Sequence, residues 1–425
     1  MDGPLRHASH GCRLLNCTPR PANSLAALPY RCLPGHSPGL LRDTLAPSMR
    51  FSKTALVALA LLATGLSGIW LWRSNRGQTS GETGSTRSPV SKSASQLPAA
   101  ADPFSPALDS LRGKPAEEQT RRTLSETRLA LAAMPKDEAV AYIRDFLAKG
   151  QDHGTGLDFA IGRDGKLSGW PSFRTFLLDA LLGIDPAAAA ALSREILSKP
   201  TTADEWALAL RNVAKGEERQ DRGFLLAKTT ELISNSGWQA DPSIGYLNAF
   251  DVLVHVEAVE ATPLLSDLIQ RKDRKDLAHA GFLTLDRLVQ RQPADELGHL
   301  AADRALQQSR PEMVAQEFAR ADLRDPAQQA IVRSWLLDSA RTATELHSFA
   351  SVFPNNNRFI SNNLLTTESA PSSAELAVHD REVLGVVSAW AADPAFTAVK
   401  DHLNAMISRL DGFVGSNKGS VPAPE

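Results

Sequence analysis

Four Asp-Pro pairs divide the carboxy-terminal three-quarters of this chain and constrain its fold more than any other feature. They lie at residues 185–186, 241–242, 325–326 and 393–394, and each precedes an apolar run with a helical period. An Asp side chain accepts hydrogen bonds from the free N–H groups at a helix start, and Pro fits the first helical position because it lacks an N–H. Strand signals are scarce. The sequence therefore predicts an all-α body over residues 116–410 and a disordered tail at 411–425.

The spacing of three helix starts is similar to that of helical repeat proteins. Pro263, Pro293 and Pro326 follow one another at intervals of 30 and 33 residues, near the period of a two-helix repeat. Residues 120–410 thus resemble the HEAT-like or TPR-like class of α-helical repeats in architecture, without a family motif. The resemblance implies an irregular α-solenoid or helical-hairpin array, and a compact bundle of helical hairpins is the alternative.

One glycine-dense stretch, residues 150–170, interrupts the helical pattern. Leu157, Phe159 and Ile161 alternate with polar residues, and the turn-forming pair Asp164-Gly165 follows. This pattern predicts one short hairpin-like loop between helices. Loops on rigid scaffolds often carry recognition, so we expect an interaction loop here. Its candidate residues are Asp152, His153, Asp158 and Trp170.

The segment at residues 54–72 predicts a single transmembrane helix in front of the body. It contains nineteen residues without a charge and is flanked by basic residues on both sides. Such a helix reaches roughly 28 Å, close to the thickness of a bilayer's hydrocarbon core. A cleaved secretory signal is the alternative. Either interpretation exports the carboxy-terminal body, so we expect a single-pass protein of the cell membrane with its body in the bacterial periplasm.

Two further segments do not have the composition of a packed domain. Residues 1–48 are rich in Pro, Arg and Ser without sustained periodicity, which predicts a disordered extension or a wrongly assigned start, with Met49 as the true first residue. Residues 77–115 are rich in Ser, Thr, Gly and Pro and predict a flexible linker. The body would then be held away from the membrane.

The acidic charge of the body argues against nucleic-acid partners. Residues 1–115 contain thirteen Lys and Arg against five Asp and Glu, a net charge of +8, while the whole chain has a formal charge of −2. This leaves −10 for residues 116–425. Phosphate backbones are bound by clustered Lys and Arg, so the sequence predicts no nucleic-acid binding.

The sequence also predicts no catalytic residue, no metal site and no cofactor. All three cysteines lie in the first 32 residues, so the body cannot use thiolate chemistry. His255 and Glu257 are two residues apart, and His379 and Asp380 are adjacent. On a helix both spacings are expected to direct the side chains apart. The zinc-protease motif HExxH does not occur in the sequence.

These features predict a membrane-anchored, exported helical scaffold or binding module without catalysis. Its partner would be another protein or an envelope polymer that contacts the helical body, while residues 54–72 contact the membrane. Trp170 and Trp238 lie beside loop residues and are the candidates for an exposed carbohydrate or peptide platform. The alternative is an envelope hydrolase with a noncanonical site in the Gly150–Trp170 loop. A deep pocket that gathers a histidine with carboxylates of perturbed pKa would favour that alternative over the binding module.

Overall fold

The computed structural model describes residues 102–219 and 221–417. This part of the chain is predominantly helical, which confirms the predicted all-α class. The predicted extension at 1–48, the predicted membrane segment at 54–72 and most of the predicted linker lie outside the described residues. Among the helices that are described, none combines the length and the apolar character needed to cross a membrane.

Nineteen α-helices and one short hairpin occur in the described residues. The first ten helices are α1 (Ser105–Arg112), α2 (Glu117–Ala133), α3 (Lys136–Ala148), α4 (Phe173–Ile184), α5 (Pro186–Ile196), α6 (Ala203–Gly216), α7 (Arg222–Ile233), α8 (Ser236–Ala240), α9 (Ile244–Asn248) and α10 (Asp251–His255). The other nine are α11 (Thr262–Ile269), α12 (Lys275–Arg291), α13 (Pro293–Ala302), α14 (Arg304–Ser309), α15 (Pro311–Phe318), α16 (Pro326–Leu337), α17 (Ala343–Val352), α18 (Ser373–Ala392) and α19 (Lys400–Asn417). The hairpin strands, β1 (Ala160–Ile161) and β2 (Leu167–Gly169), lie between α3 and α4.

Most helices pack against helices that are near neighbours in sequence. Helix α6 packs on α4, α5, α7 and α9, α12 packs on α10, α11 and α13, and α18 packs along α19. The buried side chains form one continuous apolar cluster that extends from Phe104 to Leu410. The body is therefore a series of locally packed helices with a shared core.

Three of the four predicted Asp-Pro helix starts are present. Asp185 and Asp325 cap α5 and α16 through side-chain hydrogen bonds, and Asp393 caps a 3-10 turn at Pro394–Val399. The prediction at Asp241 was wrong, because this residue ends α8 and the next helix begins after Ser243. The Ser243 hydroxyl accepts the hydrogen bond from the Tyr246 N–H that a helix cap requires.

Both predicted limits of the helical body need correction. Residues 105–112 of the predicted linker form α1, whose start is fastened by the buried ring of Phe104. This ring contacts the rings of Phe146 and Phe173 edge to face, with centroids 5.5 and 5.6 Å apart. At the other end α19 continues to Asn417, seven residues into the predicted disordered tail. Apolar residues within a polar segment bury the first of these ends, while at the other end Phe413 and Val414 are half-buried.

The predicted hairpin forms as two very short antiparallel strands. Its turn places Asp164 and Gly165 in the left-handed region, with φ of 59° and 67°. A Cβ atom on Gly165 would lie only 2.2 Å from the carbonyl oxygen of Leu364. Glycine is therefore needed here both for its backbone angle and for the close approach of a distant segment.

That distant segment is the strap, which we define as residues 354–371 between α17 and α18. It has no helix or strand of its own. Within it, the Asn362 side chain donates to the Ile161 carbonyl of the hairpin, and Thr366 is bound by Asp251 of α10. Glu368 pairs with Arg287 and Arg291 of α12. The strap thus joins parts of the body that are far apart in sequence.

Candidate functional site

A cavity of about 730 Å³ lies where the beginning of the strap meets α12, α13, α18 and the segment between α15 and α16. Its apolar lining residues are Val289, Pro293, Pro371, Ala374, Leu376 and Val378. Its polar lining residues are Gln290, Arg320, Asp322, Arg324, Gln328, Asn355, Asn356, Arg358, Glu375 and His379. Its size and mixed lining are typical of ligand pockets.

Three arginines surround this cavity, and each has a different role. Arg320 is buried, and its guanidinium donates to the carbonyl oxygens of Asn355 and Asn357, which holds the beginning of the strap. Arg324 binds both carboxylate oxygens of Asp322. Arg358 is exposed and makes no ion pair with any described residue. The cavity therefore has one cation at its edge whose charge is not matched within the described part of the chain.

A histidine and two aspartates meet at the wall formed by α18. His379 Nδ1 lies 2.9 Å from Asp380 Oδ1, and Nε2 lies 3.8 Å from Asp322 Oδ1. The expectation that adjacent side chains diverge was wrong for His379 and Asp380, because rotation about their side-chain bonds brings the imidazole and the carboxylate into contact. Burial would raise the pKa of Asp322, but hydrogen bonds from Arg324 outweigh burial and hold that pKa below its ordinary value.

This wall could orient an imidazole, although the cavity lining contains no Ser, Thr or Cys to act as a nucleophile. The arrangement could therefore hold a proton or a water molecule at Nε2, and it resembles a general base more than a nucleophilic centre. In the described part of the chain, no three His, Cys, Asp or Glu side chains come close enough together to hold a metal ion.

Behind Arg320, two buried carboxyl groups share one positive charge. Arg320 Nε lies 2.5 Å from Asp286 Oδ1 and 3.4 Å from Glu317 Oε2. Both contacts are ion pairs, but their donor–acceptor angles do not meet the geometry of a hydrogen bond. Burial raises the pKa of Asp286, and burial together with the Asp286 charge raises the pKa of Glu317 well above its ordinary value. Glu317 therefore holds a proton more tightly than an ordinary glutamate, and Asp286 is the nearer of the two carboxyl groups to Arg320.

A third buried acid, Glu296, lies in α13 and contacts α11. Burial raises its pKa to about 7. The Thr262 hydroxyl oxygen is 2.7 Å from both the Val259 carbonyl oxygen and Glu296 Oε2. The Thr262 hydroxyl donates towards both acceptors, and its hydrogen bond to Glu296 opposes the effect of burial on the pKa without outweighing it.

Stability should consequently fall as the pH rises through this region. The folded protein holds the Glu296 proton more tightly than the unfolded chain, so this group lowers the free energy of unfolding between about pH 4.5 and pH 7. The loss should reach about 3 kcal/mol at most. We expect Glu296→Gln to remove this part of the pH dependence and to stabilise the protein at pH 8. Urea unfolding at pH 5, 6, 7 and 8 measures the effect, and an unchanged slope would contradict it.

The predicted interaction loop has a different environment. Asp152 Oδ1 accepts hydrogen bonds from the backbone N–H groups of His153 and Arg174, which fastens the loop to the beginning of α4. His153 Nδ1 lies 2.6 Å from the Asp152 carbonyl oxygen, and Asp158 is exposed. The half-buried Trp170 donates from Nε1 to Asp179. The structure brings Asp152 and His153 together through backbone contacts, and none of the four candidates lines the cavity described above.

Trp170 should contribute strongly to stability. Its ring contacts Phe176 edge to face at 5.5 Å, and the Arg128 guanidinium lies 5.2 Å from its centroid. Trp170→Ala is expected to lower the free energy of unfolding by about 3 kcal/mol, since it removes this packing and one hydrogen bond to a buried carboxylate. Trp170→Phe should recover part of the loss, and His153→Ala should have little effect. Urea unfolding of the three variants tests this, and equal losses at residues 153 and 170 would contradict it.

Sequence reasoning missed the cavity and most residues around it. Arg320, Asp322 and Arg324 follow α15 closely, and Arg358 lies in a segment without periodicity. A usable signal was the loop composition of the strap, which contains five Asn within eighteen residues.

Comparisons of this chain with family models, with curated proteins and with solved structures find no match.

Proposed function

We propose that the helical body is a binding module for a protein segment that carries an acidic residue beside large apolar residues. The observation that carries this proposal is the unpaired Arg358 next to exposed apolar side chains. Phe359, Ile360 and Val378 are 39%, 64% and 47% exposed, and Val378 lines the same cavity as Arg358. An apolar surface at the mouth of a cavity indicates a binding site, and the cation adds selectivity for a carboxylate.

The charge around the cavity supports an acidic partner over a basic one. Arg320 and Arg324 are already paired with Asp286 and Asp322, and the lining carboxylate Glu375 is bound by the Ser372 N–H and hydroxyl groups in the cap of α18. Arg358 is then the lining cation that can still pair with a carboxylate of a partner. A segment with a carboxylate placed at Arg358 would gain an ion pair, while its apolar neighbours would cover the exposed side chains.

The architecture that we propose for this module is an irregular α-solenoid or helical-hairpin array. Its support is that α6, α12 and α18 pack mainly against helices close to them in sequence. Helical arrays commonly bind extended partners along their surfaces. The strap covers part of this array and places Arg358 at the cavity, with the exposed Phe359 and Ile360 directly after it in sequence.

Peptide titrations test the binding proposal. The probes are two labelled decapeptides that contain Leu-Glu-Phe or Leu-Lys-Phe at their centres, followed by fluorescence anisotropy with the full chain. We expect the Glu peptide to bind in a salt-sensitive way, and Arg358→Glu to weaken it at least tenfold. The combined change Phe359→Ala and Ile360→Ala should also weaken it. Arg122→Glu, on exposed α2, is the matched control and should bind normally. Equal binding of both peptides by the unmodified protein would refute the proposal.

We also propose that residues 54–72 anchor this module in the cell membrane, with the body exported. The nineteen uncharged residues and their basic flanks support this. Deletion of residues 54–72 is expected to move the protein from the membrane fraction to the soluble fraction. Recovery of the unmodified protein in the soluble fraction, with its amino terminus mapped after residue 67, would instead establish a cleaved signal.

An envelope hydrolase is the second candidate function. The Asp380–His379 hydrogen bond beside the cavity favours it, since such a pair can act as a general base. The Gly150–Trp170 loop, with Asp152 and His153, is its other possible location. Hydrolysis of ester, amide and glycoside substrates by the unmodified protein, His379→Ala and His153→Ala distinguishes the two locations. Turnover that disappears in only one variant would place the active site there and would displace the binding proposal.

A further inference from the structure

A second cavity, of about 390 Å³, lies between the α5–α6 connection, α7 and the beginning of α8. The residues that matter for its chemistry are Ser198, Trp206, Lys228, Glu231, Asn235 and Trp238. We propose that this cavity is a carbohydrate-binding site that takes a short, neutral oligosaccharide. It shares no lining residue with the larger cavity, so this proposal is independent of the peptide-binding function.

Two indole rings supply the apolar part of the site. Trp206 is 4% exposed and forms the deeper ring, and Trp238 is half-buried beside it. Their centroids are 5.3 Å apart with planes inclined at 65°. This contact fixes the orientation of Trp238, so its accessible surface is preorganised. The face of a sugar ring that carries C–H groups is apolar and fits an indole surface of this kind.

Polar side chains surround the rings and match the hydroxyl groups of a sugar. Lys228 Nζ lies 5.4 Å from the Trp206 centroid and 2.7 Å from Glu231 Oε2. This ion pair leaves Glu231 largely exposed, with its other oxygen able to accept. Asn235 uses its side-chain oxygen to cap α8, which leaves its NH₂ group to donate. Donors and acceptors thus stand together beside an aromatic ring, and a sugar hydroxyl both donates and accepts.

The hydrogen-bonding pattern favours a sugar over a proline-rich peptide. Grooves that bind such peptides use aromatic rings to hold the extended chain and need donors for its carbonyl groups. Here Trp206 Nε1 already donates to the Lys199 carbonyl oxygen at 3.2 Å, and the donors Lys228 and Asn235 lie with the acceptor Glu231 in the same lining. A peptide carbonyl would use only the donors, whereas a sugar hydroxyl uses both kinds of group. The remaining groups are a carboxylate, an ammonium, an amide and the Ser198 hydroxyl, which donates to the Glu195 carbonyl oxygen and can still accept. This set is suited to several hydroxyl groups at once.

Titration of the full chain with three trisaccharides tests the site. The probes are maltotriose, cellotriose and tri-N-acetylchitotriose, followed by calorimetry and by the NMR signals of the indole N–H groups. We expect at least one sugar to bind saturably. Trp238→Ala and Glu231→Gln should each weaken that binding about tenfold or more, and Trp238→Phe should retain most of it. Glu218→Gln, an exposed carboxylate outside the cavity, is the matched control, and Arg358→Glu should leave sugar binding unchanged.

Three results would overturn the assignment. One is the absence of a saturable response to all three sugars by a protein whose circular dichroism is that of a folded helical chain. Another is saturable binding of a proline-rich decapeptide that depends on Trp238 while the sugars do not compete with it. Weakening by Glu218→Gln as large as that by Glu231→Gln would likewise place sugar binding outside this cavity.

Discussion

Replacing Asp251 with alanine is expected to lower the free energy of unfolding by about 4 kcal/mol, because one buried carboxylate holds both α12 and the strap. Its Oδ2 accepts from the backbone N–H groups of Leu365 and Thr366, at 2.6 and 3.1 Å. Its Oδ1 lies 2.6 Å from the guanidinium of Arg287. Alanine would leave a buried cation and two strap N–H groups without this acceptor.

Urea unfolding and limited proteolysis measure the two effects of this change. We expect Asp251→Ala to unfold at a lower urea concentration and to be cleaved faster within residues 354–371. Asp251→Asn keeps the size and one acceptor, so its loss should be smaller. Asp267→Ala, on the exposed side of α11, is the control and should change stability by less than about 0.5 kcal/mol. A loss at residue 251 no larger than that at 267 would contradict the anchoring role.

The second large effect is expected at the buried ion pair of α4 and α6. Arg174 binds both oxygens of Glu205, at 2.8 and 2.9 Å, and donates to the Leu147 carbonyl oxygen. Both residues are almost fully buried. Arg174→Met would strand the Glu205 anion in the core and should lower the free energy of unfolding by about 3 to 5 kcal/mol.

A double replacement distinguishes a stranded charge from lost packing. Arg174→Met combined with Glu205→Leu removes both charges and should regain most of the stability lost by the single change. Arg122→Met breaks an exposed pair with Glu118 and should lower stability by less than about 1 kcal/mol. If the double variant is as unstable as the single one, packing around Arg174 dominates and the electrostatic explanation fails.

The helical class could be predicted because its signals are local. Asp185 and Asp325 cap helices through bonds that span three residues, so four adjacent letters contain the information. The hairpin turn at Asp164-Gly165 is local in the same way. The prediction at Asp241 was wrong because Ser243, two residues later, is an equally good cap and forms the N-cap of α9.

The strap and the cavity could not be predicted in this way because their contacts are not local. Asp251 and Thr366 are 115 residues apart, and charged residues in a sequence are normally assumed to be exposed. No residue near Asp251 in the sequence indicates that its side chain binds the backbone N–H groups of Leu365 and Thr366. The Asn-rich composition of residues 354–371 predicts a long loop, and long loops are often functional. It does not predict which helices the loop crosses.

The path of the strap changes how such a chain must fold. A helical array with contacts only between neighbours can form from any point and lose its ends independently. Here the Asn362 side chain donates to the Ile161 carbonyl oxygen across 201 positions, and Thr366 bonds to Asp251 of α10 across 115 positions. Loops of this length close only after the intervening helices have assembled, which raises contact order and slows folding. Once these loops are closed, we expect residues 102–417 to unfold as one cooperative unit. Unfolding of either half would separate the buried ion pair between Asp251 and Arg287.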